Sequence, residues 1–189
     1  MRLFFVNLSV LFALSFAQTA WAVTPIPSNS AFTTAITACL AESPVTGNCT
    51  SYGASSGYGT MPNWDVSNVT DMSSAFTYNT SFNADLSNWD TSAVTDMSYM
   101  FEGATSITNV SFSDTSAVTS MERMFRNNTS ITSVSLPKTG AVTNMFKMFR
   151  GTTSLTSVSL PETSAVTNME SMFRSATSIT SVSLPETGN

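Results

Sequence analysis

The chain has 189 residues, of which 42% are hydrophobic and only 10% are charged, with a formal net charge of −5 and no histidine. This length suits one domain with short additions, and the apolar content is sufficient for a core. A weakly ionic, acidic chain excludes a nucleic-acid-binding surface, which needs clustered lysine and arginine. The lack of histidine excludes the common hydrolase triads and argues against a zinc site. We therefore expect no catalytic, cofactor-binding or metal-binding residues.

The first 22 residues are predicted to be a secretory signal peptide. Arg2 gives a positive start, residues 3–16 are almost wholly apolar, and residues 20–22 (Ala-Trp-Ala) fit the small-x-small cleavage rule. A transmembrane anchor is the alternative, but the apolar run is shorter than the ~20 residues that a membrane-spanning helix needs. We expect cleavage after Ala22, a mature chain without a membrane span, and a protein that is secreted or displayed at the cell surface.

Residues 23–60 are predicted to form an N-terminal helical cap. Ser30 is a candidate N-cap for a helix over residues 31–42, because apolar residues in this stretch recur at helical spacing. These residues are Phe32, Ala35, Ile36, Cys39 and Leu40.

The cap contains the two cysteines of the chain, Cys39 and Cys49. An exported protein folds in an oxidising compartment, where an even number of closely spaced cysteines favours a disulfide. Two free, buried thiols are the alternative.

Residues 61–189 repeat a Val-Thr-x-Met-x-x-(Met/Ala)-Phe phrase at steps of 25, 24, 24 and 24 residues. The anchors of the phrase are Val69, Val94, Val118, Val142 and Val166. A period in this range is typical of a solenoid, in which each unit packs on its neighbours.

Each repeat unit is predicted to combine a short helix with a short strand. In the third copy, Val118, Met121 and Phe125 lie at the spacing of one helix face, and residues 131–136 alternate like a half-buried strand that Pro137 closes. The predicted fold is an α/β solenoid of about five 24–25-residue strand–turn–short-helix units behind the N-terminal helical cap.

Equivalent residues of successive units would lie in columns. The methionine column could suggest a soft-metal site, but its pairing with a phenylalanine column favours core packing. The polar strand positions would form an open face of hydroxyl groups, the candidate binding face. Its residues are Thr132, Ser133, Ser135, Thr156, Ser157, Ser159, Thr180, Ser181 and Ser183.

Aspartates recur in the first two copies, at Asp65, Asp71, Asp90 and Asp96. They could hold calcium, which prefers several oxygen ligands. Their spacing is not that of an EF-hand loop, and an aspartate in a first helical turn also stabilises the helix dipole. The capping interpretation is favoured.

Residues 64–72 (Trp-Asp-Val-Ser-Asn-Val-Thr-Asp-Met) and 89–97 (Trp-Asp-Thr-Ser-Ala-Val-Thr-Asp-Met) resemble the signature of BspA-like leucine-rich-repeat surface proteins. The strand-plus-proline phrase at residues 155–161 is similar to the same family. The resemblance covers residues 61–189 and implies a leucine-rich-repeat-like, surface-displayed protein with roles in adhesion and protein binding, and no catalytic residues. The Trp-Asp pair is absent after the second copy, so the later copies need not bind what the earlier ones bind.

The sequence therefore predicts a non-catalytic, exported interaction or adhesion module whose partner is a protein or a surface glycan. The alternative is recognition of an ordered lattice, ice or a polysaccharide, by the serine and threonine columns. An enzyme is the third possibility, and it lacks a pair of carboxylates placed in a cleft. The periodic region stops without a polar cap, which is consistent with a truncated product, with further copies, or with end-to-end self-association.

Overall fold

The computed structural model describes residues 23–184, so the predicted signal peptide and the last five residues lie outside the described part. Two α-helices come first, α1 (Asn29–Glu42) and α2 (Thr50–Ser56), followed by a short 3-10 helix, Met61–Asn63. Four three-residue strands follow: β1 (Asn109–Ser111), β2 (Ser133–Ser135), β3 (Ser157–Ser159) and β4 (Ser181–Ser183). Strand β1 pairs in parallel with β2, and β3 pairs in parallel with β4, which gives two separate two-stranded sheets.

The prediction of an α/β solenoid of strand–turn–short-helix units is wrong. The leucine-rich-repeat-like architecture that the resemblance implies is therefore wrong as well. Between residues 64 and 184 there is no helix, and the strands are confined to the two small sheets. The stretch around Met121 and Phe125, predicted to be a short helix, consists of consecutive turns.

Five such stretches, which we call the turn segments, cover residues 71–78, 96–103, 120–127, 144–151 and 168–175, and in each of them a bridge residue and a methionine precede six residues in turns. Two residues in each segment have a left-handed backbone. At the first of these positions φ lies between 52° and 62°, in Ser74, Tyr99, Arg123, Lys147 and Ser171. At the second it lies between 54° and 77°, in Tyr78, Gly103, Asn127, Gly151 and Ser175. A left-handed residue interrupts a right-handed helix at a cost of roughly 1–2 kcal/mol, so a helix is excluded here.

The hydrogen bonds of the turn segments explain why this backbone is adopted. In an α-helix every interior N–H donates to a carbonyl four residues earlier. In the third segment the N–H groups of Met121, Arg123 and Phe125 instead donate to carbonyls of the next segment, at 2.9, 2.9 and 3.0 Å. The acceptors are Asn144, Phe146 and Met148. The N–H of Asn127 also donates to the next segment, to the Arg150 carbonyl at 2.7 Å, whereas the intervening Met124 and Arg126 bond within their own segment. Half of the N–H groups of the segment therefore join it to its neighbour.

The core is a row of side chains that runs through the turn segments. Phenylalanine rings of adjacent segments stack with centroids 5.4–5.6 Å apart and nearly parallel planes. The rings are those of Phe76, Phe101, Phe125, Phe149 and Phe173. Four methionines of the predicted column, Met72, Met97, Met121 and Met145, are fully buried, which confirms their core role. The fifth, Met169, is 37% exposed.

Helix α1 forms as its apolar spacing predicts and covers the start of this core. Its N-cap is Ser28 rather than the predicted Ser30, and the Ser28 hydroxyl oxygen accepts the N–H of Ala31 at 3.2 Å. Phe32 is buried and packs in a T-shaped arrangement with Trp89, with ring centroids 5.6 Å apart.

The predicted disulfide between Cys39 and Cys49 is confirmed, with a Cα–Cα distance of 5.0 Å. It ties the end of α1 to the start of α2 and is buried. Within residues 23–184, no helix has the length and apolar character required to cross a bilayer.

Candidate functional site

The candidate binding face lies on strands β2, β3 and β4 and on the threonine before each strand. All nine of its residues are exposed. The structure sets Ser157 opposite Ser181 and Ser159 opposite Ser183 in one sheet. Ser133 and Ser135 lie in the other sheet, so the face is divided between two sheets rather than being one continuous lattice.

The alternation of burial along β3 explains why its serines face outward. In β3, Val158 is buried between the exposed Ser157 and Ser159. Successive strand residues point to opposite sides, so burial of the valine holds both hydroxyls toward solvent.

Two of the three threonine hydroxyls on this face are hydrogen-bonded to the protein, whereas the serine hydroxyls are not. The Thr132 hydroxyl donates to the Thr108 carbonyl at 3.0 Å, and the Thr180 hydroxyl donates to the Thr156 carbonyl at 3.2 Å. Within the described chain, the six serine hydroxyls of the face make no hydrogen bond to protein, so they are free to donate to and accept from a ligand.

Sequence reasoning missed two residues that extend this face. Asn109 and Ser111 of β1 pair in register with Ser133 and Ser135 and are exposed in the same alternating pattern. The signal was available in the phrase Asn109-Val110-Ser111, which has the polar–valine–polar order of the later strands. The serine face, as we now define it, comprises these two residues and the six serines.

The serine face carries no charge. The charged residues that follow the first two strands in the chain, Asp114 after β1 and Lys138 after β2, form an ion pair with each other. The Lys138 ammonium lies 2.9 Å from a carboxylate oxygen of Asp114. The hydrogen bond from the Ser116 side chain and the bond from Lys138 hold the pKa of Asp114 well below its usual range. A carboxylate held ionised in this way cannot serve as a general acid, and the face offers neutral hydrogen-bonding groups only.

A second polar cluster, also missed from the sequence, lies on the turn segments. Glu102 is 3% exposed and accepts from the Arg126 guanidinium at 2.5 Å, while the Tyr99 hydroxyl donates to Glu122 at 2.7 Å. That bond from Tyr99 to Glu122 raises the pKa of the phenol. The cluster is internally paired, so neither glutamate is placed as a free acid or base for catalysis.

Arg123 belongs to the same cluster. Its guanidinium lies over the rings of Tyr99 and Phe146, 5.3 and 5.4 Å from their centroids, in cation–π geometry. The signal in the sequence was the recurrence of aromatic and cationic residues at steps close to 24.

The recurring aspartates close turns rather than starting helices, so the predicted helix-dipole role is wrong. A carboxylate oxygen of Asp71 accepts the N–H of Ser73 at 2.8 Å, and one of Asp96 accepts the N–H of Ser98 at 2.7 Å. The carboxylates of Asp65 and Asp90 likewise accept the N–H of the serine two residues later in the chain. In the described part of the chain, no group of three acidic, cysteine or histidine residues is arranged to hold a metal ion.

Comparison with known families gives one match. A model of the family described as "Mycoplasma protein of unknown function, DUF285" matches residues 50–155 and, in an overlapping second alignment, residues 108–184. The matched part contains the five turn segments and all four strands, whereas α1 precedes it. No curated protein and no solved structure gives a significant match.

Proposed function

Since the chain belongs to the DUF285 family, whose function is unknown, we propose that it is an exported, non-catalytic interaction module that binds a protein or a surface glycan through the serine face. The observation that carries this proposal is a contrast on that face: two of the three threonine hydroxyls donate to backbone carbonyls, whereas the serine hydroxyls have no partner within residues 23–184. Uncharged hydroxyls that lie opposite one another on neighbouring strands suit a ligand with many donors and acceptors, such as a glycan or a peptide backbone.

Export and surface display are part of the proposal. They are supported by the signal-like sequence of residues 1–22, and an exported setting agrees with the Cys39–Cys49 disulfide. The resemblance to BspA-like surface proteins supports the same adhesive role. N-terminal sequencing of the protein recovered from the host is expected to begin at Val23.

The binding test changes the centre of the serine face. Ser157→Lys combined with Ser159→Lys places two charged side chains where neutral hydroxyls now lie. Thr34→Lys combined with Ala41→Lys, at two exposed sites of α1, is the matched control for the same added charge. Purified proteins are applied to immobilised extracellular matrix proteins and to a glycan array. We expect saturable binding of the unchanged protein to at least one target, and binding at least about tenfold weaker for the serine double variant only. No binding to either panel, or equal binding by all three proteins, would contradict the proposal.

Lattice recognition is the less supported alternative. Two of the three threonine hydroxyls that would contribute to a regular array are used by backbone carbonyls, and the strands fall into two sheets. Ice shaping by the purified chain in dilute solution would favour the lattice alternative over the adhesion proposal.

End-to-end self-association would use apolar side chains of β4 and of the residue that follows it. Val182 is 39% exposed and Leu184 is 52% exposed, whereas Val158 and Leu160 at the same positions of the preceding strand are 4% and 0% exposed. If this surface pairs two copies, the sedimentation coefficient should rise with protein concentration, and Val182→Lys should abolish the rise.

A further inference from the structure

A groove of about 330 Å³ lies between helix α1 and the first turn segment. Asn29, Thr33 and Thr37 contribute one wall, and Asp71, Ser73 and Ala75 contribute the other. We call it the head groove, because it is at the end of the row of turn segments that α1 covers.

The wall formed by Asp71, Ser73 and Ala75 is an edge of backbone acceptors. Residues at the same positions in the second segment accept N–H groups from the first, at 2.9, 2.9 and 2.8 Å. Those acceptors are the carbonyls of Asp96, Ser98 and Met100, which bind the N–H groups of Met72, Ser74 and Phe76. Among residues 23–184, no donor reaches the equivalent carbonyls of the first segment, so the head groove begins where this pattern of hydrogen bonds stops.

The Thr33 and Thr37 hydroxyls of the helix wall add acceptors rather than donors. The Thr33 hydroxyl donates to the Asn29 carbonyl at 3.1 Å, and the Thr37 hydroxyl donates to the Thr33 carbonyl at 3.0 Å. Each hydroxyl has one proton, so both present only lone pairs to the groove. These acceptors, together with the regularly spaced backbone carbonyls of the other wall, favour an occupant that supplies hydrogen-bond donors at a regular spacing.

We propose that the head groove binds a peptide whose alternate backbone N–H groups donate to the carbonyls of Asp71, Ser73 and Ala75. The binding mode continues the interface that already joins each turn segment to the next, and it resembles strand addition at an open sheet edge. The groove is separate from the serine face, so this inference does not rest on the proposed adhesive function.

The chain itself supplies a probe with the required donors. The heptapeptide Met-Glu-Arg-Met-Phe-Arg-Asn has the sequence of residues 121–127, whose N–H groups at Met121, Arg123 and Phe125 donate outward. It would be labelled with fluorescein and titrated with the full-length chain by fluorescence anisotropy. A version methylated on the amides that correspond to Arg123 and Phe125 loses two of the donors. A version methylated on the amide of Glu122, which makes no hydrogen bond in the described structure, is its control.

Two adjacent threonines provide the matched protein variants. Thr33 and Thr34 are both exposed and both donate to the carbonyl four residues earlier, but only Thr33 lines the head groove. Thr33→Trp should fill the groove, and Thr34→Trp should leave it open. Circular dichroism verifies folding, and Thr33→Arg is a second blocking variant if the first does not fold.

The expected result is saturable binding that weakens at least about tenfold with Thr33→Trp and with methylation at the two donating amides. Thr34→Trp and methylation at Glu122 should change the affinity about twofold or less. Amide chemical shifts should move at residues 71–77 and remain in place at residues 133–135. No saturable binding up to about 1 mM, equal effects of the paired changes, or shifts confined to the serine face would overturn the inference.

Discussion

Helix α1 and the turn segments carry the same apolar spacing but fold differently. In α1, Phe32, Ala35, Ile36 and Cys39 form a buried face on a regular helix. In the third turn segment, Met121, Met124 and Phe125 are equally buried, yet the backbone is a series of turns. The difference is the destination of the N–H groups, which stay within α1 and go alternately to a neighbour in the turn segments. Apolar spacing thus specifies which side chains are buried, and the available hydrogen-bond partners decide the backbone.

The largest expected effect tests the contact between segments. Phe125→Ala removes a fully buried ring that lies 5.6 Å from the ring on each side, and we expect the free energy of unfolding to fall by about 3–5 kcal/mol. Phe146→Ala is the control, since that half-buried ring contacts the cations of Arg123 and Lys147 instead. Its cost should be about 1 kcal/mol. Urea denaturation measures both, and equal losses would show that the row of rings does not hold the segments together.

Substitution by glycine should change the free energy of unfolding in opposite directions in the turn segments and in α1. Ser171 has φ of 56° and makes no side-chain hydrogen bond in the described structure, so Ser171→Gly relieves left-handed strain and should raise the free energy of unfolding by about 0.5–1 kcal/mol. Ala38 lies within α1, and Ala38→Gly should lower it by about 1 kcal/mol. Thermal melting of both variants measures these changes in stability. A loss of stability in both would indicate that the turn segments behave like a helix in solution.

The smallest expected effect concerns the ion pair beside the strands. The folded-state pKa of Asp114 is lowered from 3.8 by Ser116 and Lys138. A lowered pKa stabilises the fold above the unfolded value, and this contribution is lost as the pH falls below about 4 toward the folded value. Asp114→Asn removes the charge but can keep the turn, as Asn144 does by accepting the N–H of Phe146.

We therefore expect the unfolding midpoint of Asp114→Asn to lie slightly below that of the unchanged protein at pH 7. The gap should narrow progressively from about pH 4 downward. An equal gap at pH 5 and pH 2 would show that the carboxylate charge is not its source.

Some of the candidate site followed directly from sequence. Exposure of Ser157 and Ser159 was predicted from the alternating strand pattern of the repeat, and the structure confirms it. The division of the serine face into two sheets was not predictable, because three-residue strands carry no signal for which neighbours pair. The role of Asn29 as a hydrogen-bond acceptor for the first repeat was also not predictable from the sequence. Its side-chain oxygen accepts the Thr70 N–H at 2.9 Å, in the way that the Thr70 carbonyl accepts the Thr95 N–H at 2.8 Å.

By itself the sequence determined helix α1, the disulfide and most of the buried apolar side chains. Each of these depends on residues that are close in the chain or on a spacing that burial enforces. Tertiary structure alone decided that the periodic phrases become turns instead of helices. The left-handed backbone of a residue such as Arg123 costs free energy in isolation. That cost is offset only when the next segment, about 24 residues further along the chain, presents a carbonyl to the N–H of Arg123.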